Sequence, residues 1–292
     1  MSVKKIERVI VPGGTHFVGD GFRVHNIIPG SAGLSMQRMS PFILLDYNSP
    51  YEFPPSETPR GVGVHPHKGF ETVTIAYKGK VEHHDSSGGG GVINEGDVQW
   101  MTAASGLLHK EFHEKEWSKK GGMFQMVQLW VNLPAKDKKS KPKYQAITNK
   151  DMGRVKLENN SGEVEIIAGE YKGVKGPAST FTPLHLFNVK LKSGAKSDLA
   201  FPPEYNTALL VLEGNIKVND SEDVPVNNFA LFENKGEDFT IEAIEDSLIL
   251  ILSGEPINEP IASQGPFVMN TKEELVEAYN DFYEGKFGHL ED

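Results

Sequence analysis

Short runs of strand-forming residues, each closed by turn residues, dominate the chain and limit what it can fold into. Residues 70–77 (FETVTIAY) alternate in polarity and are rich in β-branched and aromatic side chains, and Lys78-Gly79 ends the run. The same pattern recurs along the chain, at residues 81–85, 98–102, 123–133, 207–212, 229–233, 239–243 and 247–252. Glycine and proline contribute 30 and 18 of the 292 residues, which favours many tight turns. The pattern predicts an all-β fold.

The chain divides into two similar halves. Thr72 and Thr207, 135 positions apart, begin matching runs that end in a turn, Lys78-Gly79 in one half and Glu213-Gly214 in the other. Residues 134–143 (PAKDKKSKPK) hold five lysines and two prolines, which is typical of a solvated linker, with an anion or partner contact as the alternative. We therefore expect an N-terminal domain over 1–137 and a C-terminal domain over 138–292.

The end of the chain has a different pattern. Thr271 and Glu274 form a capping-box signature, and apolar residues then follow at helical spacing until Gly285. This pattern predicts one amphipathic helix of about three turns that packs against a barrel wall.

Charge and composition exclude several classes of function. The net charge is −10, so a polyanion is repelled and nucleic acid is not expected as a direct partner. The absence of cysteine excludes disulfides, thiolate nucleophiles and cysteine-ligated metals. No signal-peptide pattern and no run of about 18 apolar residues occurs, so we expect a cytoplasmic protein without membrane contact. A monomer is the expectation for such a two-domain chain.

Histidines cluster in the first half, where two short motifs have the spacing of metal ligands. They are His65-Pro66-His67 and His109-Lys110-Glu111. Side chains two apart on a strand point to the same face, so each motif can converge on one point inside a barrel. Three imidazoles and a carboxylate suit a first-row divalent metal, and Fe(II), Mn, Ni, Co, Cu and Zn all remain open. A single pair of this kind is often only a surface feature, whereas two pairs in one β region favour a site.

Other polar residues near these motifs are less informative. Adjacent residues on a strand face opposite sides, so His83-His84 is interpreted as a polar, turn-side pair of which at most one points inward. His113 joins the second motif only if its strand continues. Glu71 follows His67 by four residues and has its parity, so it is either an acceptor behind the metal, a proton-handling group or an ordinary strand residue.

The two motifs and their surroundings resemble the pirin branch of the cupins. The matching segments are residues 65–73 (HPHKGFETV), 96–103 (GDVQWMTA), 106–111 (GLLHKE), 128–134 (QLWVNLP) and 265–271 (GPFVMNT). The resemblance covers nearly the whole chain. It implies two tandem cupin barrels of the double-stranded β-helix or jelly-roll type, followed by the C-terminal helix. It also implies one mononuclear non-haem iron in the first barrel, with His65, His67, His109 and Glu111 as ligands and Glu71 near the metal without binding it.

The second half lacks equivalent ligands. At the offset of 135, Ala200 and Pro202 stand where His65 and His67 would be, and a match of Gly106 to Gly236 places Phe239 and Ile241 at the other two positions. None of these side chains binds a metal, so the C-terminal barrel is expected to be structural.

The resemblance implies two functions that the sequence does not separate. One is a quercetin 2,3-dioxygenase, a metal-dependent dioxygenase that opens a flavonol such as quercetin with O2. Glu111 would then take the 3-hydroxyl proton, and Glu111 and Glu71 are the predicted catalytic residues. The other is an iron-dependent redox-sensing regulator that binds a protein partner. A sugar isomerase has only the ligand chemistry in its favour.

Overall fold

A computed structural model describes residues 2–291 of the chain. The strands up to residue 147 are β1 (Ile6–Ile10), β2 (His16–Val18), β3 (Phe22–Ile28), β4 (Phe42–Phe53), β5 (Gly61–His67), β6 (Phe70–Lys78), β7 (Val81–Asp85), β8 (Gly90–Ile93), β9 (Val98–Thr102), β10 (Leu107–His113), β11 (Gly122–Asn132) and β12 (Lys143–Ile147). In the first barrel, strands β2–β4, β6, β9, β11 and β12 form a seven-stranded sheet, and β5, β7, β8 and β10 form a four-stranded sheet.

The second barrel has the same architecture. The strands after residue 147 are β13 (Gly153–Lys156), β14 (Gly162–Ala168), β15 (Glu170–Tyr171), β16 (Val174–Lys175), β17 (Leu184–Leu191), β18 (Lys196–Ala200), β19 (Asn206–Glu213), β20 (Ile216–Val218), β21 (Glu222–Val224), β22 (Phe229–Phe232), β23 (Asp238–Ala243), β24 (Ser247–Gly254), β25 (Ala262–Gln264) and β26 (Phe267–Met269). The sheets of the second barrel are a seven-stranded one, in the order β1-β22-β19-β24-β17-β14-β13, and a four-stranded one, in the order β18-β23-β20-β21.

Each barrel includes a strand from the other side of the boundary predicted at residue 137. Strand β1 pairs with β22 in the second barrel, and β12 pairs with β9 in the first. The division at residue 137 remains a prediction, and these pairings bear on it, because a cut there separates β12 from the sheet it completes.

The two barrels share one apolar core. Their seven-stranded sheets pack face to face through a buried cluster to which Val73 and Trp100 contribute from the first barrel and Leu210 and Leu250 from the second. The second barrel is filled by a separate apolar cluster that includes Phe239 and Ile241, the residues aligned with His109 and Glu111. The first barrel has a smaller apolar cluster, which leaves room for polar side chains.

The basic segment between the halves is not a solvated linker throughout. Lys138 is fully buried, and its ammonium group donates to the carbonyl oxygens of Gly69 and Val268 and to Asn132 Oδ1 at 2.7, 3.0 and 2.7 Å. The solvated-linker interpretation is therefore wrong at this residue. Burial lowers the pKa of the Lys138 ammonium group to about 7, and the three acceptors satisfy its three N–H donors.

The predicted C-terminal helix is present. The described part of the chain contains three α-helices, α1 (Met36–Met39), α2 (Lys115–Lys120) and α3 (Lys272–Tyr283). Helix α3 begins with the predicted capping box of Thr271 and Glu274. Its apolar face packs on the β25–β26 hairpin and Phe287. Within residues 2–291, none of the helices has the length and apolar character needed to cross a membrane.

Candidate metal centre

Three imidazoles meet on the inner face of the four-stranded sheet of the first barrel. Strand β5 carries His65 and His67 at alternate positions, so both point to one side. His109 on β10 is the direct cross-strand partner of His65. One nitrogen from each ring lies within 4.8 Å of the other two. The pairing of β5 with β10 thus brings together the three histidines that the sequence singled out.

Each of these imidazoles uses Nδ1 for a hydrogen bond. The Nδ1 atoms of His65 and His67 lie 2.8 and 3.3 Å from the carbonyl oxygens of Gly63 and Pro266. A carbonyl oxygen only accepts, so in the neutral rings Nδ1 carries the proton and Nε2 keeps its lone pair. The buried Nε2 of His109 has no hydrogen-bond partner among residues 2–291.

The donor set fits a divalent metal. Metal-binding histidines generally donate their second ring N–H to a carbonyl or carboxylate, which is the arrangement seen at His65 and His67. Burial, followed by the neighbouring histidines, lowers the pKa of His109 well below the usual range, and burial does the same for His67. Neutral rings with free Nε2 atoms are the form in which imidazole binds a metal.

The Glu111 carboxylate belongs to a second, overlapping group. A register shift between β5 and β10 falls between His109 and Glu111. The Glu111 carboxylate lies within 4.8 Å of ring nitrogens of His109 and His83, which form this second group. Its Oε1 atom is 3.0 Å from the hydroxyl of Thr74. The structure therefore places Glu111 beside the three histidines, and His109 is common to both groups.

His83 is a buried residue of this site, so its interpretation as a turn-side residue is wrong. Strand β7 places His83 opposite Glu111 and Asp85 opposite His109. His83 and Asp85 are both buried, whereas His84 is exposed and faces the opposite side. The His83-x-Asp85 spacing is the same two-residue spacing as in the other motifs, and this signal could have revealed the pair.

Glu71 lies on the wrong face of its sheet for a place near the metal. It shares its face of β6 with Val73 and Ile75, which belong to the core between the barrels, while Thr74 on the other face reaches Glu111. Glu71 Oε1 accepts a hydrogen bond from Thr102 at 2.7 Å. Burial raises the pKa of Glu71 to about 7.

The parity argument for Glu71 fails at the turn between β5 and β6. Gly69 has φ +94°, so the alternation of faces does not continue from His67 into β6. His113 is also outside the cluster, because its ring packs among Phe53, Trp117 and Phe124, although its strand does continue.

The cluster opens into one cavity. Its volume is about 350 Å³, and apolar side chains such as Phe22, Val24 and Trp130 form much of its wall. His65, His67 and Glu111 line it on one side, and three polar residues also line it: Asp46, Asn48 and Gln128. A largely apolar cavity with a few converging polar groups is typical of a small-molecule site.

The C-terminal segment completes this cavity, which the motif spacing did not reveal. Gly265 and Pro266 line the cavity, and the Pro266 carbonyl is the acceptor for His67. The ammonium group of the buried Lys68 forms an ion pair with the partly buried Asp281 of α3 at 2.5 Å. Lys68, which follows the first histidine motif, thus connects this motif to the C-terminal helix α3.

This fold and this cluster define a two-barrel cupin with a candidate metal centre in its first barrel. The family described as Pirin matches residues 21–131, and the Pirin C-terminal cupin domain matches residues 186–288. The chain is 47% identical to the Pseudomonas aeruginosa protein named "Putative quercetin 2,3-dioxygenase PA2418", over 98% of this chain and 99% of that one. It is 35% identical to Pirin-1 of Arabidopsis thaliana, over 92% and 90% of the two chains. The chain belongs to the pirin family.

A solved structure agrees with the fold. Quercetin 2,3-dioxygenase from Acinetobacter baumannii superposes with a TM-score of 0.93 at 49% identity, covering 99% of this chain and 100% of that one. The bacterial pirin YhhW from Escherichia coli, solved in complex with nickel(II), has a TM-score of 0.65 at 18% identity, over 85% and 99% of the two chains, which supports the fold alone. The prediction of two tandem cupin barrels with a C-terminal helix is confirmed.

Proposed function

We propose that this protein is a metal-dependent dioxygenase that opens a flavonol such as quercetin with O2, and that Fe(II) is its metal. The observation that carries the proposal is the cluster of His65, His67 and His109, of which the last two are buried, beside a largely apolar cavity that His65 and His67 line. The names of the P. aeruginosa and A. baumannii relatives support this substrate class. The donor set of imidazoles and a carboxylate supports a first-row divalent metal, and Ni(II) is the second candidate.

The proposed ligands are His65, His67, His109 and Glu111. A bound metal would act as a Lewis acid toward the 3-hydroxyl of the flavonol and lower the pKa of that hydroxyl. The remaining tasks fall to the protein. The apolar wall that includes Phe22, Val24 and Trp130 excludes water and holds a flat aromatic molecule.

Glu111 is the proposed proton acceptor. Its carboxylate lines the cavity, and its Oε1 atom is positioned by the Thr74 hydroxyl. With Oε1 held in this way, we assign the 3-hydroxyl proton to Oε2. Thr74 Oγ1 is also 2.8 Å from Gln128 Oε1, and its single proton serves one of these acceptors at a time. Glu71 is assigned a structural role, because its carboxylate faces the core between the barrels.

Anaerobic loading with Fe(II), addition of quercetin and then O2, and parallel measurement of flavonol loss and carbon monoxide would test the proposal. We expect turnover in the wild type, none in His67→Ala and a loss of about 100-fold or more in Glu111→Gln, since a general base typically contributes 10²–10⁴-fold. His84→Ala is the matched control, because this histidine is exposed on the outer face.

Two results would contradict the proposal. One is protein with one iron per chain that does not turn over quercetin, which would favour a redox-sensing regulator with a protein partner. The other is full activity in Glu111→Gln, which would leave a metal dioxygenase without the assigned base. Parallel loading with Ni(II) and Mn(II) identifies the metal that supports turnover.

A further inference from the structure

A buried chain of three side chains runs from the candidate metal centre into the wall of the barrel. The Nδ1 atoms of His109 and His83 are 3.4 Å apart, and His83 Nε2 is 3.5 Å from Asp85 Oδ2. His109 and His83 are fully buried, and Asp85 is 4% exposed. These residues lie on the neighbouring strands β10 and β7, so the sheet pairing fixes their spacing.

Asp85 is held as a carboxylate at the far end of the chain. Its Oδ1 atom accepts hydrogen bonds from Ser87 Oγ and from the backbone N–H groups of Ser87 and Gly89, at 2.6, 2.8 and 3.0 Å. Burial acts to raise the pKa of Asp85, but these hydrogen bonds together with that of His83 lower it to about 2. An ionised carboxylate only accepts, so the proton between Asp85 and His83 belongs to His83 Nε2.

This assignment determines the protons along the rest of the chain. The contact of His83 Nε2 with the Asp85 carboxylate directs the ring proton to Nε2, and the tautomer with its proton on Nε2 has a lone pair on Nδ1. The facing Nδ1 of His109 must then be the donor, because two lone pairs cannot form a hydrogen bond. His109 is therefore left with a lone pair on Nε2, the atom that has no hydrogen-bond partner among residues 2–291.

The ring of His83 is held in this orientation from a second side. Tyr144 on β12 stacks on it, with ring centroids 5.3 Å apart and an interplanar angle of 21°. The nearest carboxylate on the other side, Glu111 Oε1, is 3.9 Å from His83 Nδ1, which is too far for a hydrogen bond. His109 Nδ1 is thus the partner of His83 Nδ1.

We propose that Asp85 and His83 are positioning residues that fix His109 in the tautomer with a free Nε2 for the metal. His65 and His67 obtain the same tautomer from backbone carbonyls, so His109 is the one of the three whose tautomer depends on other side chains. The inference rests on the proposed metal centre and does not depend on which reaction occurs there.

Two variants test the two links of the chain through the affinity for Ni(II), measured by competition with a chelator. His83→Leu removes the acceptor, and Asp85→Asn offers an amide that can donate to His83 Nε2 and reverse its tautomer. We expect each to weaken Ni(II) binding about 10–100-fold, the usual effect of removing such partners. His83→Asn keeps an oxygen that can face His109 Nδ1 and should recover most of the affinity.

Two further measurements separate positioning from a general loss of structure. His84→Leu alters the neighbouring, exposed histidine and should leave the affinity unchanged. Long-range ¹H–¹⁵N NMR of the metal-free protein should show His109 protonated at Nδ1 in the wild type and at Nε2 in a fraction of Asp85→Asn.

The inference is overturned if His83→Leu and Asp85→Asn bind Ni(II) within twofold of the wild type, or if wild-type His109 carries its proton on Nε2. Both readouts are independent of turnover. Failure to oxidise quercetin would therefore contradict the proposed function and leave this inference standing. If the two variants keep both their turnover and the Ni(II) affinity of the wild type, this inference is contradicted and the proposed function is left standing.

Discussion

The substitution Glu71→Gln tests whether this carboxylate has a structural or a catalytic role. Glu71 is buried on the face of its sheet that packs into the core between the barrels. Its pKa is raised to about 7, against 4.5 for an ordinary glutamate, and the cause is burial. At 1.36 kcal/mol for each pKa unit, ionising this side chain in the folded state costs up to about 3 kcal/mol.

The sign of the pH dependence follows from proton binding. Between pH 4.5 and 7 the folded chain keeps the Glu71 proton and the unfolded chain loses it. The contribution of Glu71 to stability is thus fully present below pH 4.5 and is lost as the pH rises through about 7. A glutamine in its place stays neutral and can still accept the hydrogen bond from Thr102.

We therefore expect the stability of Glu71→Gln relative to the wild type to increase by about 3 kcal/mol between pH 4.5 and 8. Urea unfolding at pH 4.5, 6 and 8 measures the difference. Glu57→Gln removes one charge from an exposed position and controls for the change in net charge. Metal content and turnover should match the wild type. A difference that stays constant with pH, or a variant without metal, would refute the reasoning.

Two other changes test the assembly of the cavity. Asp281→Asn breaks the ion pairs of this carboxylate with the buried Lys68 and with Lys286, and should lower the free energy of unfolding by about 1–3 kcal/mol. Glu277→Gln, at an exposed pair, should change it by less than 1 kcal/mol. Equal effects in urea melts would contradict the role of the Lys68 pair. Asn48→Leu replaces a buried amide whose nitrogen and oxygen have no partner among residues 2–291. It should stabilise the protein by about 1–3 kcal/mol, and a lower melting temperature would disprove this expectation.

The resemblance to a known family could be recognised from a few short motifs, and the comparisons confirm it. The sequence patterns place Glu71 near the metal, whereas in the structure it faces the core between the barrels. They also do not identify His83 as a buried residue of the site. Both errors have a physical cause. Alternation of faces holds only within one strand, and the Gly69 turn interrupts it before Glu71. The adjacent pair His83-His84 suggests a turn-side position, whereas the spacing of His83 and Asp85 places both on the buried face of β7.

The local features of this protein follow from its sequence alone. Alternating apolar residues specify strands such as β6 and β9, and the two-residue spacing of His65 and His67 specifies their common face. The capping box of Thr271 and Glu274 likewise specifies where α3 begins. These features depend on backbone geometry over a few residues, so they can be predicted without knowledge of the fold.

The meeting of distant segments depends instead on the tertiary fold. Strand β10 lies between β5 and β7, so that His109 contacts His65 on one side and faces Asp85 on the other. The fold also brings Pro266, 199 positions away in the chain, to the Nδ1 atom of His67. Such contacts depend on strand order and on packing between the sheets, which local sequence patterns do not encode.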